Sequence, residues 1–145
     1  MVGPNLKPIN SIPTPQRRVV TGPRMAFELI GPMMRKDQEE LWVMALSPGK
    51  RVIGLDAIFR GTVDQCLVHP RDLIRFVCQH NASSFLIAHN HPSGEVEVSE
   101  CDWQLTQRLL DVSRLIQIPM DDHIVIAWPN YVSLRQRDPS MFQFD

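Results

Sequence analysis

The stretch from Ser84 to Asp102, SFLIAHNHPSGEVEVSECD, constrains the fold of this chain more than any other. Ser84 to Ala88 is apolar on consecutive positions instead of alternating. A short unalternating run that ends at a turn reads as a strand covered on both faces. Such a strand belongs in the middle of a sheet flanked by helices. The run passes into His89-Asn90-His91 and then into Pro92-Ser93-Gly94, where the residue types favour a turn. Ser99 and Asp102 follow eight and eleven positions after His91.

Two histidines at i and i+2 on an extended segment point to the same side. Asp102 can return to them only if the chain folds back, and Pro92 and Gly94 supply that reversal. Two imidazoles and one carboxylate are a suitable donor set for Zn2+ with a fourth coordination position open. Asp102 has a competing reading. Ser99-x-x-Asp102 ahead of an apolar stripe is also a helix capping box, in which each side chain satisfies a backbone N–H of the first turn. Spacing alone leaves these readings level, and the paired histidines favour ligation. Ser99 then either caps the helix or faces a substrate.

The rest of the chain reads as alternating helices and strands. Residues 1–20 carry Pro4, Pro8, Pro13 and Pro15 and form an extended arm. Pro23 opens a short amphipathic helix that ends at Gly31-Pro32. Leu41–Leu46, a Ser47–Lys50 turn and Arg51–Phe59 form a hairpin. A short strand is expected near Cys66–Val68. His69-Pro70 opens a helix to about His80, with Leu73, Ile74, Val77 and Cys78 on one face. Ser99 starts the longest helix, to about Gln117, with Leu105, Leu109, Val112 and Ile116 as its buried stripe. Strands follow at Asp122–Ala127 and Tyr131–Leu134, and residues 137–145 form a tail.

At 145 residues one domain with its own core is expected. The net charge of −1 gives no electrostatic footprint for nucleic acid or an anionic membrane. The apolar runs are too short for a membrane span, and the N-terminus lacks the apolar core of a signal peptide. Cys66, Cys78 and Cys101 form no CxxC pair, and this odd, unpatterned count points to a reducing cytoplasm.

The motif His89-x-His91-x7-Ser99-x2-Asp102 resembles the metal motif of the JAMM (MPN-plus) metallopeptidases. His-Asn-His-Pro-Ser-Gly at 89–94 is similar to the RadC family within that group. Val68-His69-Pro70-Arg71, Asp122-His123 and Tyr131-Val132-Ser133-Leu134 extend the similarity to roughly residues 21–136. The resemblance implies an α/β MPN (JAB) fold, a mixed sheet flanked by helices. It also implies zinc at His89, His91 and Asp102, and it assigns Ser99 to stabilising an oxyanion. The general base must be a carboxylate, and the glutamates ahead of the histidines are Glu28, Glu39 and Glu40. Alternation lets one of Glu39 and Glu40 reach the metal side. The family's glutamate lies one residue before the apolar strand, which selects Glu39 and leaves Glu40 facing outward. His69, His80 and His123 lack the spacing for the site and read as structural, and the side chain of Cys101 points away from that of Asp102.

Three departures stand out. Val98 occupies a position where proline is common in the family, and Cys101 one where an acidic residue is common. Full-length relatives carry an N-terminal helix-hairpin-helix module, for which the 1–20 arm is too short.

These readings together predict a zinc metallopeptidase or isopeptidase acting on a protein or peptide chain. Two alternatives belong to other classes. One is a DNA-repair protein or nuclease, against which stand the near-neutral charge and the absence of Lys and Arg from Phe85–Asp102. The other is a non-catalytic MPN binding module, whose expected sign is a lost ligand. A zinc nucleoside deaminase would need His-x-Glu and Pro-Cys-x-x-Cys, and the sequence has neither.

Overall fold

The computed structural model describes residues 18–61 and 68–144. A five-stranded mixed sheet runs through the molecule in the order β2-β1-β3-β4-β5. Its strands are β1 (Glu39–Leu46), β2 (Val52–Gly61), β3 (Ser84–Asn90), β4 (Met120–Ala127) and β5 (Asn130–Ser133). β1 pairs antiparallel with both β2 and β3, β3 pairs parallel with β4, and β4 pairs antiparallel with β5. The parallel step needs a crossover, and the long helix α3 (Glu100–Ile116) provides it. No helix among the described residues is long and apolar enough to cross a membrane.

Both faces of the sheet are covered, which explains the unalternating sequence of β3. Leu41, Val43 and Ala45 of β1 and Phe85 and Ile87 of β3 face one core, built with α2 (Pro70–Gln79) and α3. Trp42, Met44 and Leu46, with Leu86 and Ala88, face a second core under α1 (Pro23–Ile30). Continued to the strand ends, this alternation places Glu39 and His89 on the α2/α3 face and Glu40 and Asn90 on the α1 face, with His91 following directly after Asn90.

Glu40 is therefore not the outward-facing residue expected from the sequence. It is fully buried, because α1 and the short 3₁₀ turn Gly31–Met33 cover the face to which it points. Its carboxylate accepts from the backbone N–H of Arg35 (2.7 Å), from Trp42 Nε1 (3.3 Å) and from Arg60 Nε. A carboxylate can be buried there because each oxygen has a donor.

The helices differ from expectation in detail. On α2 the buried face is Leu73, Phe76 and Val77, while Cys78 is exposed, one position past the i, i+3, i+4 set. On α3 the buried stripe runs through Asp102, Leu105, Thr106, Leu109, Leu110 and Ser113, leaving Val112 and Ile116 half-buried. Thr106 and Ser113 tolerate burial because their hydroxyls donate to the carbonyls of Asp102 (2.6 Å) and Leu110 (2.7 Å). The stripe thus begins at Asp102 and carries that side chain inward.

The strand expected near Cys66–Val68 falls mostly outside the described residues, and Val68 itself has no regular structure. At the end of the arm, Val19 bridges Arg51 and the N–H of Val20 donates to Lys50 O (2.8 Å). The tail is docked rather than loose. Leu134–Arg137 forms a helical turn, Pro139–Phe142 a 3₁₀ turn, and Phe142 is buried in the α2/α3 core. Arg114 of α3 donates to Met141 O (2.8 Å) and holds it there.

Candidate metal centre

β3 ends in His89-Asn90, the chain turns at Pro92-Ser93-Gly94, and α3 begins after Ser99. Gly94 has φ +85, a conformation that suits glycine at this reversal. The turn brings the start of α3 back over the end of β3. His89, His91 and Asp102 then offer one donor atom each within 4.8 Å of one another.

The individual contacts describe the donor set. Asp102 Oδ1 lies 3.1 Å from His89 Nδ1, and Asp102 Oδ2 lies 3.1 Å from His91 Nε2. Spacings of this order, with one donor atom from each of the three residues within 4.8 Å, could hold a metal ion. His91 Nδ1 donates to the carbonyl of Glu95 (2.9 Å), which fixes the tautomer and leaves Nε2 to ligate. His89 Nδ1, despite its nearness to Asp102, is not aligned for a hydrogen bond and makes none. Glu39 contacts His89 Nε2 through Oε1, while its Oε2 is buried with no hydrogen-bond partner among the described residues. Unsatisfied polar atoms in a buried cluster are costly unless something binds them, and a cation among the three donors would give His89 Nδ1 a partner.

Electrostatics point the same way. Burial alone would lower the pKa of His89, but the close carboxylates of Asp102 and Glu39 and their charges outweigh it and raise it to about 9. Asp102 raises that of His91 too, against the effect of burial. Burial would push the Asp102 carboxyl up, yet the two histidines and the Ser99 N–H hold it well below the usual carboxylate range. A proton on the histidines and a metal ion serve the same two carboxylates, so the cluster is built around positive charge.

The two readings of Ser99 and Asp102 prove compatible. Ser99 Oγ accepts from the Asp102 N–H (3.0 Å), and Asp102 Oδ2 accepts from the Ser99 N–H (2.9 Å), which completes the capping box. The same carboxylate still faces both histidines. Ser99 uses its oxygen as acceptor in the cap and keeps its O–H as a donor. Glu39, His89, His91, Ser99 and Asp102 all line one cavity of about 330 Å³.

Residues 20–139 match the RadC-like JAB domain family. The chain belongs to that family. Curated relatives are UPF0758 proteins. One from Picosynechococcus is 37% identical over 123 residues, and one from Cyanothece is 39% identical over 127. One from Symbiobacterium thermophilum is 36% identical over 125. These alignments cover 84%, 87% and 85% of this chain and 51%, 52% and 53% of the respective relatives. The chain therefore spans about half the length of the relatives it matches.

Some of this RadC-like domain's site neighbours carried no functional signal in the sequence. His123 of β4 is fully buried, with its ring centroid 6.4 Å from that of His89. Its Nδ1 meets Thr106 Oγ1, which in turn donates to the carbonyl of Asp102. Burial, helped by the charge of His89, lowers the pKa of His123 to about 3, so it stays neutral behind the cluster. Asp122-His123 was legible as a family-like pair, but its position behind His89 follows from the parallel β3–β4 pairing, with Ile87 opposite His123. Glu28 is remote from the cavity, ion-paired on the surface of α1 with Arg24 (3.2 Å). His80 donates from Nδ1 to Phe76 O (2.8 Å) and is structural. Cys101 borders the cavity but is disulfide-bonded, while Cys78 is a free thiol. Cysteine usage thus gives no argument for a reducing compartment.

Proposed function

We propose that this domain is a zinc-dependent peptidase or isopeptidase that hydrolyses an amide bond in a protein or peptide chain. The observation that carries the proposal is the unsatisfied Glu39 Oε2 in the same cavity as the His89, His91 and Asp102 donors. Glu39 would serve as a base with a free lone pair in the cavity where those donors would hold a metal. Zinc bound there would acidify a water molecule and polarise the substrate carbonyl. Glu39 accepts the proton of the attacking water and returns it to the leaving amine. The Ser99 O–H donates to the developing oxyanion. His91 is held by Glu95, and Asp102 by its cap, so neither has to reorganise during turnover.

The cavity lining supports amide over phosphodiester chemistry. It contains no Lys or Arg among the described residues. Arg75 is turned to Asp72 (3.7 Å), and Arg108 donates to Val68 O (3.0 Å). Phosphodiester hydrolysis commonly relies on a second metal or on cations at the phosphate.

The test is a panel of peptide, isopeptide and DNA substrates with zinc-loaded protein, each repeated with chelator and with Glu39→Gln. Amide cleavage abolished by both treatments is expected. Chelator-sensitive DNA cleavage that disappears in Glu39→Gln, without amide hydrolysis, would overturn the peptidase reading.

A further inference from the structure

Asn90 stands between the two histidines of the donor set but on the opposite face of β3, and it is buried. Its side-chain amide uses three hydrogen bonds. Oδ1 accepts from the N–H of Glu40 (2.6 Å), and Nδ2 donates to the carbonyls of Gln38 (2.9 Å) and Arg35 (2.8 Å). One orientation of the amide satisfies this set, because its oxygen meets an N–H and its nitrogen meets two carbonyls.

The consequence lies in which peptide groups are held. The Gln38 carbonyl belongs to the peptide unit before Glu39, and the Glu40 N–H to the unit after it. A single side chain therefore pins both peptide planes that flank the Glu39 Cα. Those planes set the φ and ψ from which the Glu39 side chain departs. Asn90 is itself covalently fixed between His89 and His91. His89 and Glu39 come from different strands, 50 residues apart in sequence, and this amide is a direct tie between those strands.

We propose that Asn90 is a positioning residue, which sets the reach of the Glu39 carboxylate relative to the His89/His91/Asp102 donor set. The proposal rests on the reading of Glu39 as the base. It assigns Asn90 no contact with metal or substrate.

The test uses the full chain loaded with cobalt(II) in place of zinc. The pH midpoint of the visible cobalt spectrum is compared in wild type, Glu39→Gln, Asn90→Ala and Asn90→Thr. Glu39→Gln removes a negative charge beside the bound water, and its midpoint should fall by about one pH unit or more. Asn90→Ala lets Glu39 drift, so its midpoint should fall by about half as much or more. Cobalt affinity should change by less than the ~10- to 100-fold that follows loss of a group holding a ligand. Asn90→Thr adds no charge and keeps one hydroxyl, too short to hold the Gln38 and Glu40 peptide groups together, and its midpoint should fall between those of Asn90→Ala and wild type. If Asn90→Ala does not fold, Asn90→Thr, close to Asn in volume and suited to a strand, decides alone. A shift in Glu39→Gln with wild-type midpoints in the folded Asn90 variants would overturn the positioning role and leave Glu39 as base intact. No shift in Glu39→Gln would overturn both, since Asn90 would then have nothing to act through.

Discussion

Glu39 and Glu40 are neighbours in β1, and His89 and Asn90 are neighbours in β3, yet the two faces on which they lie treat polar atoms in opposite ways. On the α1 face every polar atom discussed has a partner. Glu40 is met by Arg35, Trp42 and Arg60, and Asn90 by three backbone groups. On the α2/α3 face Glu39 Oε2, His89 Nδ1 and His123 Nε2 are buried without hydrogen-bond partners among the described residues. These side chains are buried on both sides, so burial does not distinguish scaffold from site. Satisfaction does. A saturated network holds its shape, and an unsaturated one is poised to bind.

The sharpest test of that contrast is metal content. Wild-type protein should carry about one zinc per chain, and His89→Ala or His91→Ala should abolish it, because two remaining protein ligands hold zinc poorly. Elemental analysis of untagged protein decides, and full retention in the double variant would break the comparison. Next in size is Glu39→Gln. It should retain zinc and lose roughly 10²- to 10⁴-fold in kcat with little change in Tm.

Ser99→Ala touches both a cap and a donor. Kinetics should show a loss of about 10² in kcat. Thermal unfolding should show a loss of ~1 kcal/mol. A change in stability alone would confine Ser99 to the cap.

The raised pKa of His89 gives a pH dependence with a definite sign. The metal needs a neutral ring, and in metal-free protein that ring stays protonated below about 9. Zinc affinity should therefore rise with pH, up to about tenfold per unit for this one proton, and level off above it. Calorimetry in buffers of different ionisation enthalpy would register the released proton. The metal-free fold should respond in the opposite sense. A folded pKa above the unfolded value of 6.5 contributes stability in full below 6.5, and that contribution is lost as pH rises through about 9.

The smallest expected effect belongs to the saturated face. Glu40→Gln should leave kcat and zinc content near wild type and cost about 1–2 kcal/mol of stability, because Arg60 is partly exposed and water replaces some of its lost pairing. A large kcat loss there, with a mild Glu39→Gln, would reverse the roles of the two faces.

Local sequence determined a good deal of this protein. The unalternating run of β3, the Pro-Ser-Gly reversal and the Ser-x-x-Asp start of α3 are all local signals, and together they specify a covered strand that delivers two histidines and a carboxylate to one place. Turn chemistry and capping act over a few residues, so they can be read without knowing the fold. The choice between Glu39 and Glu40 was different. From the residues alone it rested on alternation, and the resemblance supplied the register. The surroundings of Glu40 lay further out of reach, since alternation says which side a residue faces and not what covers that side. Tertiary structure decided that α1 lies over Glu40, that Asn90 grips the backbone around Glu39, and that His123 sits behind His89. The first depends on how a helix packs over the sheet, and the other two on pairing between strands distant in sequence. A single strand carries no record of its partners, because the hydrogen bonds that select them are made by backbone groups common to every residue.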